Sequence, residues 1–287
     1  MPTFPTPTPI DLAINLQVGA IVVVASDRAD TVVTVSATSA TKAADQRGAD
    51  ETDVSFDGKR LTITGPRPRV SWIGPSESVD VRVELPTGSR FTAELSLGEL
   101  STEGRLGATR IKSSMGYVDL DTTADLWLRA AHGNATVRSA EGGVEITADH
   151  GQIHVGSVAG DAVLRSSHGA VTVGEVGGSL DAKLSYGNLT VSKAHGSVAA
   201  KSAYGRIEVD DVSRGTVDVE SGYGQISIAV RPGVAAWLDL SSKKGRVRNH
   251  LDGDAAPQES EQTVAVRART QAGDISIHRA RSTTAAH

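Results

Sequence analysis

Gly160 to Tyr204 reads GDAVLRSSH, GAVTVGEVG, GSLDAKLSY, GNLTVSKAH and GSVAAKSAY, five modules of nine residues without a gap. The same frame extends outward from Gly98 to Pro232, giving fifteen modules, most of them opened by glycine. Positions three and five are apolar, as in Leu180 and Ala182, Leu189 and Val191, Val198 and Ala200, Ile207 and Val209. A spacing of two is the strand period, so both residues fall on one face. Each module therefore reads as a short strand, dry on one side and wet on the other. Glycine marks the corner, because it accepts backbone angles that a side chain forbids.

A single strand of this kind cannot bury its apolar face alone, so the modules must stack on one another. They also alternate. Every second module ends in a larger side chain, Met115, His132, His150, His168, Tyr186, Tyr204 and Tyr223, and carries mainly Ser or Ala at position seven. The repeating unit is two modules. The predicted fold is all-β, a parallel β-solenoid of β-helix or β-roll type with about 18 residues and two strands per turn. An eight-residue module (Gly116 to Thr123) and a ten-residue module (Gly205 to Arg214) adjust the frame at corners.

Outside the repeat, residues 1–9 read as an extended Pro/Thr leader with no packing role, and 10–97 as an N-terminal β cap with the first turns. Residues 98–232 are the regular solenoid, 233–280 supply C-terminal turns and a cap, and 281–287 form a disordered tail, all in one continuous unit. Longer strands and hairpins are expected to cap both ends, since an unprotected sheet edge invites aggregation. Within the first segment, Asp57 and Gly58 signal a hairpin between DVSF and RLTIT. Ala40 to Asp53 lacks an apolar stripe and reads as a solvated loop, and Gly65 to Ser78 as a proline-rich loop.

The 287 residues contain 39% hydrophobic side chains, 30 glycines and only 3% aromatics, which suits a narrow interior filled by Val, Ile, Leu and Ala. A formal charge of −5 argues against a nucleic-acid binder. With no cysteine, a disulfide framework, a thiolate nucleophile and a Cys-based zinc site are all excluded. There is no apolar run long enough for a transmembrane segment and no signal-peptide pattern at MPTFPTPTPI, so a cytoplasmic location is expected.

PIDLAINLQVGAIVVVASDRADTVVTV near the start, SVDVRVELPTGS before the repeat, and AAWLDLSSKKGRVRNHLDG with VRARTQAGDISIHR at the end resemble a bacterial β-strand-repeat family. It is known as domain of unknown function 4097, or "putative adhesin". The resemblance spans about Ile10 to Arg279 and implies the same β-repeat fold. It implies no catalytic residues, and the adhesin label implies an exported protein.

Three sets of residues could carry chemistry. His132, His150 and His168 share position nine on successive turns, and imidazoles are common metal ligands. Because Met115 precedes them and Tyr186, Tyr204 and Tyr223 follow, the row reads as a stacking ladder rather than a metal site. Lys112, Arg129, Arg165, Lys183 and Lys201 share position six and could track a polyanion. Asp125, Glu145, Asp161, Asp181 and Asp218 are expected to pair across that face and neutralise them. Trp72 with Arg67 and Arg69, and the outward Trp127, are candidate contacts for a protein partner.

No GxSxG elbow, P-loop, HExxH or dinucleotide fingerprint is present, so neither an enzyme nor a cofactor is expected. The leading expectation is a non-enzymatic scaffold or protein-interaction module with an unidentified protein partner. The alternatives are a self-assembling homo-oligomer stacked end to end, which an open terminal strand would favour, a cell-surface adhesin, and a metal- or polyanion-binding protein.

Overall fold

The computed structural model describes residues 2–66, 77–251 and 263–281. The chain divides into two compact units, Met1–Gly142 and Gly143–His287. Both are built from stacked parallel strands, as the module pattern predicts.

The C-terminal unit shows the repeat most plainly. In chain order it contains β12 (Val144–His150), β13 (Ile153–Val158), β14 (Ala162–His168), β15 (Val171–Val176), β16 (Leu180–Tyr186), β17 (Leu189–Ala194), β18 (Val198–Tyr204), β19 (Ile207–Val212), β20 (Gly215–Tyr223) and β21 (Ile226–Val230), with those of the N-terminal unit numbered β1–β11 below. Even strands pair in parallel with even, odd with odd, so each turn is a rung of two strands. Ala162 aligns with Leu180 and Leu180 with Val198, an advance of one two-module unit per rung.

The two strands of a rung bury different positions. The first turns positions three, five and seven inward, as at Leu180, Ala182 and Leu184; the second buries three, five and eight, as at Leu189, Val191 and Ala194. The extra step in the second strand bends the chain back towards the core, which position-three and position-five spacing alone does not reveal.

The corner before each second strand is set by glycine. Gly151, Gly169, Gly187 and Gly205 have φ between +139° and +156°, a region that L side chains rarely enter. A Cβ on Gly169 would land on the Gly151 carbonyl oxygen, one on Gly187 on that of Gly169, and one on Gly205 on that of Gly187. The glycines form a column in which each backbone rests on the last.

After Pro232 the chain departs from sequential stacking. β22 (Ala235–Lys244) and β23 (Val247–Asn249) do not pair with β20 and β21. The last strands, β24 (Thr263–Ala272) and β25 (Ile275–Arg279), slot between, β24 against both β20 and β22, β25 against both β21 and β23. The glycine column records the same order, because Gly273 rests on Gly224 and Gly245 on Gly273. Among the described residues nothing pairs with the outer edge of β22 or β23.

The N-terminal unit uses the same exchange. β2 (Asp11–Ser26) is one sixteen-residue strand, paired on one side with β7 (Arg90–Glu103) and on the other with β5 (Arg60–Thr64) and β6 (Val79–Pro86). It is thus an internal rung, among the first turns of the stack. Beyond β7 follow β9 (Thr109–Thr123) with the short β8 (Arg105–Leu106), and then β10 (Leu126–His132) and β11 (Ala135–Ala140). The outer rung is closed by antiparallel strands: β3 (Asp30–Ala37) against β6 and β4 (Asp53–Phe56) against β5, the latter through the expected Asp57–Gly58 hairpin.

Two expectations for this segment are corrected. Ala40 to Asp53, expected to be a solvated loop, contains α1 (Ala43–Asp50). Its anchor is polar, which is why an apolar stripe was absent: Asp45 is 2% exposed, accepts the Ser78 backbone N–H at 3.0 Å and pairs with Lys42 at 2.9 Å. The Pro/Thr leader packs as well. β1 (Thr3–Pro5) pairs antiparallel with β3, and buried Thr6 and Thr31 share a hydroxyl hydrogen bond of 2.7 Å. The expected tail lies outside the described residues from 282 onward.

The column predicts a graded response to alanine. Gly169→Ala, with both a left-handed φ and a blocking carbonyl, is expected to cost about 3 kcal/mol, and Gly58→Ala, strained in φ but open in space, about 1 kcal/mol. Unfolding midpoints of the two variants measure this; equal losses would contradict it.

Candidate functional site

Because rungs repeat in register, chemically similar residues line up in columns on the surface. Position nine is the clearest. In the C-terminal unit His150, His168, Tyr186, Tyr204 and Tyr223 stack ring on ring at centroid distances of 4.8, 5.0, 5.0 and 5.0 Å, with interplanar angles of 2° to 8°. The tyrosines remain 50%, 46% and 57% exposed. In the N-terminal unit His132 lies in register beside Met115, itself 52% exposed. The stacking ladder expected from the sequence is therefore present.

The geometry is poor for a metal. Nitrogen lone pairs lie in the ring plane, and those of His150 and His168 lie in planes only 4° from parallel, so the pairs run side by side and do not converge. Among the described residues no group of three or more His, Asp or Glu side chains is placed to hold an ion.

Position six carries the cations. Lys112 and Arg129 are in register on neighbouring strands of the N-terminal unit, and Arg165, Lys183 and Lys201 on consecutive rungs of the C-terminal unit. Two ion pairs run along the column, Lys112 to Glu94 at 2.8 Å and Lys201 to Glu220 at 3.0 Å. Of the acids expected to neutralise them, Asp161 accepts the Ser179 backbone N–H at 2.7 Å. The Lys201 ammonium is held above its usual pKa first by the hydrogen bond it donates to Glu220, with Asp218 and Asp181 adding smaller attraction.

The exchange of rungs adds to this column what the module pattern could not show. β24 sets Arg269 in register with Glu220 and Ser241, and β22 brings Lys243 nearby. Lys183, Lys201, Lys243 and Arg269 then border an open groove of about 570 Å³ also lined by Ser202, Ala203, Ser221 and Gly222. Glu220 is the one carboxylate lining it.

Trp127 does face outward, as position four requires, but it is half-buried, with the Arg110 guanidinium 3.8 Å above its ring. One face of this candidate contact is thus already occupied. Trp72, Arg67 and Arg69 lie outside the described residues. Of the two described tryptophans the more exposed is Trp237 on β22, at 73%, which lies beyond the regular module pattern.

A family model described as Toastrack DUF4097 matches residues 11–278. The chain belongs to the Toastrack family. Three solved structures resemble this Toastrack chain. A "putative adhesin" from Parabacteroides merdae is 10% identical, with 98% of this chain and 95% of that one covered and a TM-score of 0.40. One from Bacteroides fragilis is 13% identical over 96% and 95%, with a TM-score of 0.30. A "putative cell adhesion protein" from Clostridium sporogenes is 13% identical over 97% and 98%, with a TM-score of 0.22. No curated protein matches the chain. Among the described residues no helix of this Toastrack protein is long and apolar enough to cross a membrane.

Stacked imidazoles should behave as packing groups. Zinc titrated into the protein is expected to bind no more tightly to the wild type than to a His150→Ala/His168→Ala variant. Calorimetry reads this directly, and a tight site lost only in the variant would contradict it.

Proposed function

We propose that the chain is a non-enzymatic β-solenoid module that binds a protein partner through its aromatic ladder. The observation that carries this reading is the row Tyr186, Tyr204 and Tyr223, each about half exposed and each held flat against the next at 5.0 Å. An exposed tyrosine offers an apolar face and a hydroxyl to a partner. Here the rings are already ordered by their neighbours, so a partner that covers them does not have to freeze their rotamers, a cost of about 0.5–1.5 kcal/mol for a mobile side chain. The rigid rungs behind the row supply a surface that changes little on contact.

The test is capture from a lysate of the native host with immobilised wild-type protein and with a Tyr186→Ser/Tyr204→Ser/Tyr223→Ser variant, checked for wild-type circular dichroism. A specific protein retained by the wild type and lost at least about tenfold, equivalent to about 1.4 kcal/mol, supports the reading. Equal retention would contradict it. As a scaffold the module would act in the cytoplasm; cleavage by protease added to intact cells would favour a surface adhesin instead.

A second reading, an anionic ligand, is favoured by the groove between Lys183, Lys201, Lys243 and Arg269. Lys183 and Lys201 lie on neighbouring rungs about 4.8 Å apart, Arg269 two rungs beyond Lys201 and Lys243 on the rung after that, a row that a flexible polyanion can follow. Retention on a sulfated-polysaccharide resin is expected to fall to lower salt when Lys183 and Lys243 become Ala. An unchanged elution position would dispose of this second reading.

A further inference from the structure

The two chain ends finish their stacks in different ways. In the N-terminal unit the apolar side chains of the outer rung are sealed: Leu61, Ile63, Val81, Val83 and Leu85 are at most 1% exposed. β3 and β4 run antiparallel across that rung, and α1 packs on β3 and β6. In the C-terminal unit the outer rung is β22 with β23, and among the described residues no strand pairs beyond its inward columns. Val266 and Ala268 on β24 are 2% and 0% exposed, yet Leu238 and Leu240, in register with them on β22, are only half-buried. Val247 is 45% exposed where its neighbour Ile275 is 0%. Trp237 adds 73% of its own surface. A ten-residue strand with an open edge, apolar residues behind it and an exposed tryptophan is what other sheet proteins avoid leaving in water.

We infer that the edge of β22 is the seat of a second copy of this chain, the two joined antiparallel about a two-fold axis at Ser241. The choice of occupant follows from charge along the strand. β22 reads AAWLDLSSKK, acidic at Asp239 and basic at Lys243 and Lys244. Antiparallel pairing centred on Ser241 sets Asp239 of each copy opposite Lys243 of the other, twice, and puts Trp237 across from the glycine corner at Gly245. It keeps inward positions facing inward, setting Leu240 of each copy opposite Ser242 of the other and Leu238 opposite the aliphatic stem of Lys244. A register centred on Asp239, which meets Arg267 at 3.2 Å and Arg269 at 3.3 Å in its own chain, would set Lys243 opposite Ala235 and leave it without a carboxylate across the joint. Because the outer rung of the N-terminal unit is sealed, the same join cannot repeat there, and assembly stops at two copies.

The chain has no cysteine, so one introduced thiol reports on this register without background. Ser241→Cys is expected to form a disulfide dimer under mild oxidation, since directly opposed strand residues have Cα atoms about 4.5–5.5 Å apart, within disulfide reach. Ser185→Cys, exposed on β16 away from the edge, is the control and should remain a single chain at the same concentration. Light scattering on wild type should give twice the 29.8 kDa chain mass, and Trp237→Lys should raise the dissociation constant at least about tenfold. The Tyr186→Ser/Tyr204→Ser/Tyr223→Ser variant should still dimerise, which separates this claim from the ladder. Crosslinking of Ser241→Cys no faster than that of Ser185→Cys, a single-chain mass up to about 100 µM, or masses that climb beyond two copies would each overturn it.

Discussion

Backbone resting on backbone at the glycine corners is the constraint on which the rest of the molecule depends. Parallel strands must sit about 4.8 Å apart to make their ladder hydrogen bonds. At a corner the chain turns out of the sheet plane, and holding that spacing there leaves no room for a Cβ, as Gly169 over Gly151 and Gly187 over Gly169 show. Once the corners are fixed, every other column is fixed with them: Val173 over Val191 and Ala182 over Ala200 inside, and the rings of Tyr186 and Tyr204 outside.

This explains how one small interior can present extended surfaces. A rung contributes about six buried side chains, mostly Val, Leu, Ile and Ala, and would be unstable alone; its neighbours cover it above and below. The outward positions are then free to vary in chemistry while keeping a fixed spacing. Aromatic rings at position nine gain stacking energy of about 0.5–1.5 kcal/mol per pair from that spacing. Cations at position six, in contrast, repel unless a carboxylate enters the column, as Glu94 and Glu220 do.

What was legible in the sequence was whatever repeats. The parallel rungs, the glycine corners, the hairpin at Asp57–Gly58 and the ladder from His150 to Tyr223 all follow from nine-residue periodicity or a two-residue turn signal. Features that depend on one non-local contact were hidden. α1 is held by buried Asp45, and the leader by Thr6 on Thr31, and neither leaves a periodic trace. The order of the last rungs was hidden for a further reason: β22 and β24 are equally good strands, and only which of them sits on β20 decides whether Arg269 joins the groove and whether Trp237 is covered. The family resemblance was carried by the flanking strands, and it speaks to the fold.

The exchanged order of β22 and β24 is the claim from which both the groove and the open edge derive, and paired cysteines test it most directly. Glu220 and Arg269 are in register on neighbouring rungs, and Ser241 lies one rung further out. A Glu220→Cys/Arg269→Cys variant should close an intramolecular disulfide, because adjacent rungs put the Cα atoms about 4.8 Å apart. Glu220→Cys/Ser241→Cys, at about twice that distance, should not. The reverse pattern, with residue 220 bonded to 241 and not to 269, would show that the strands stack in chain order and would contradict the account.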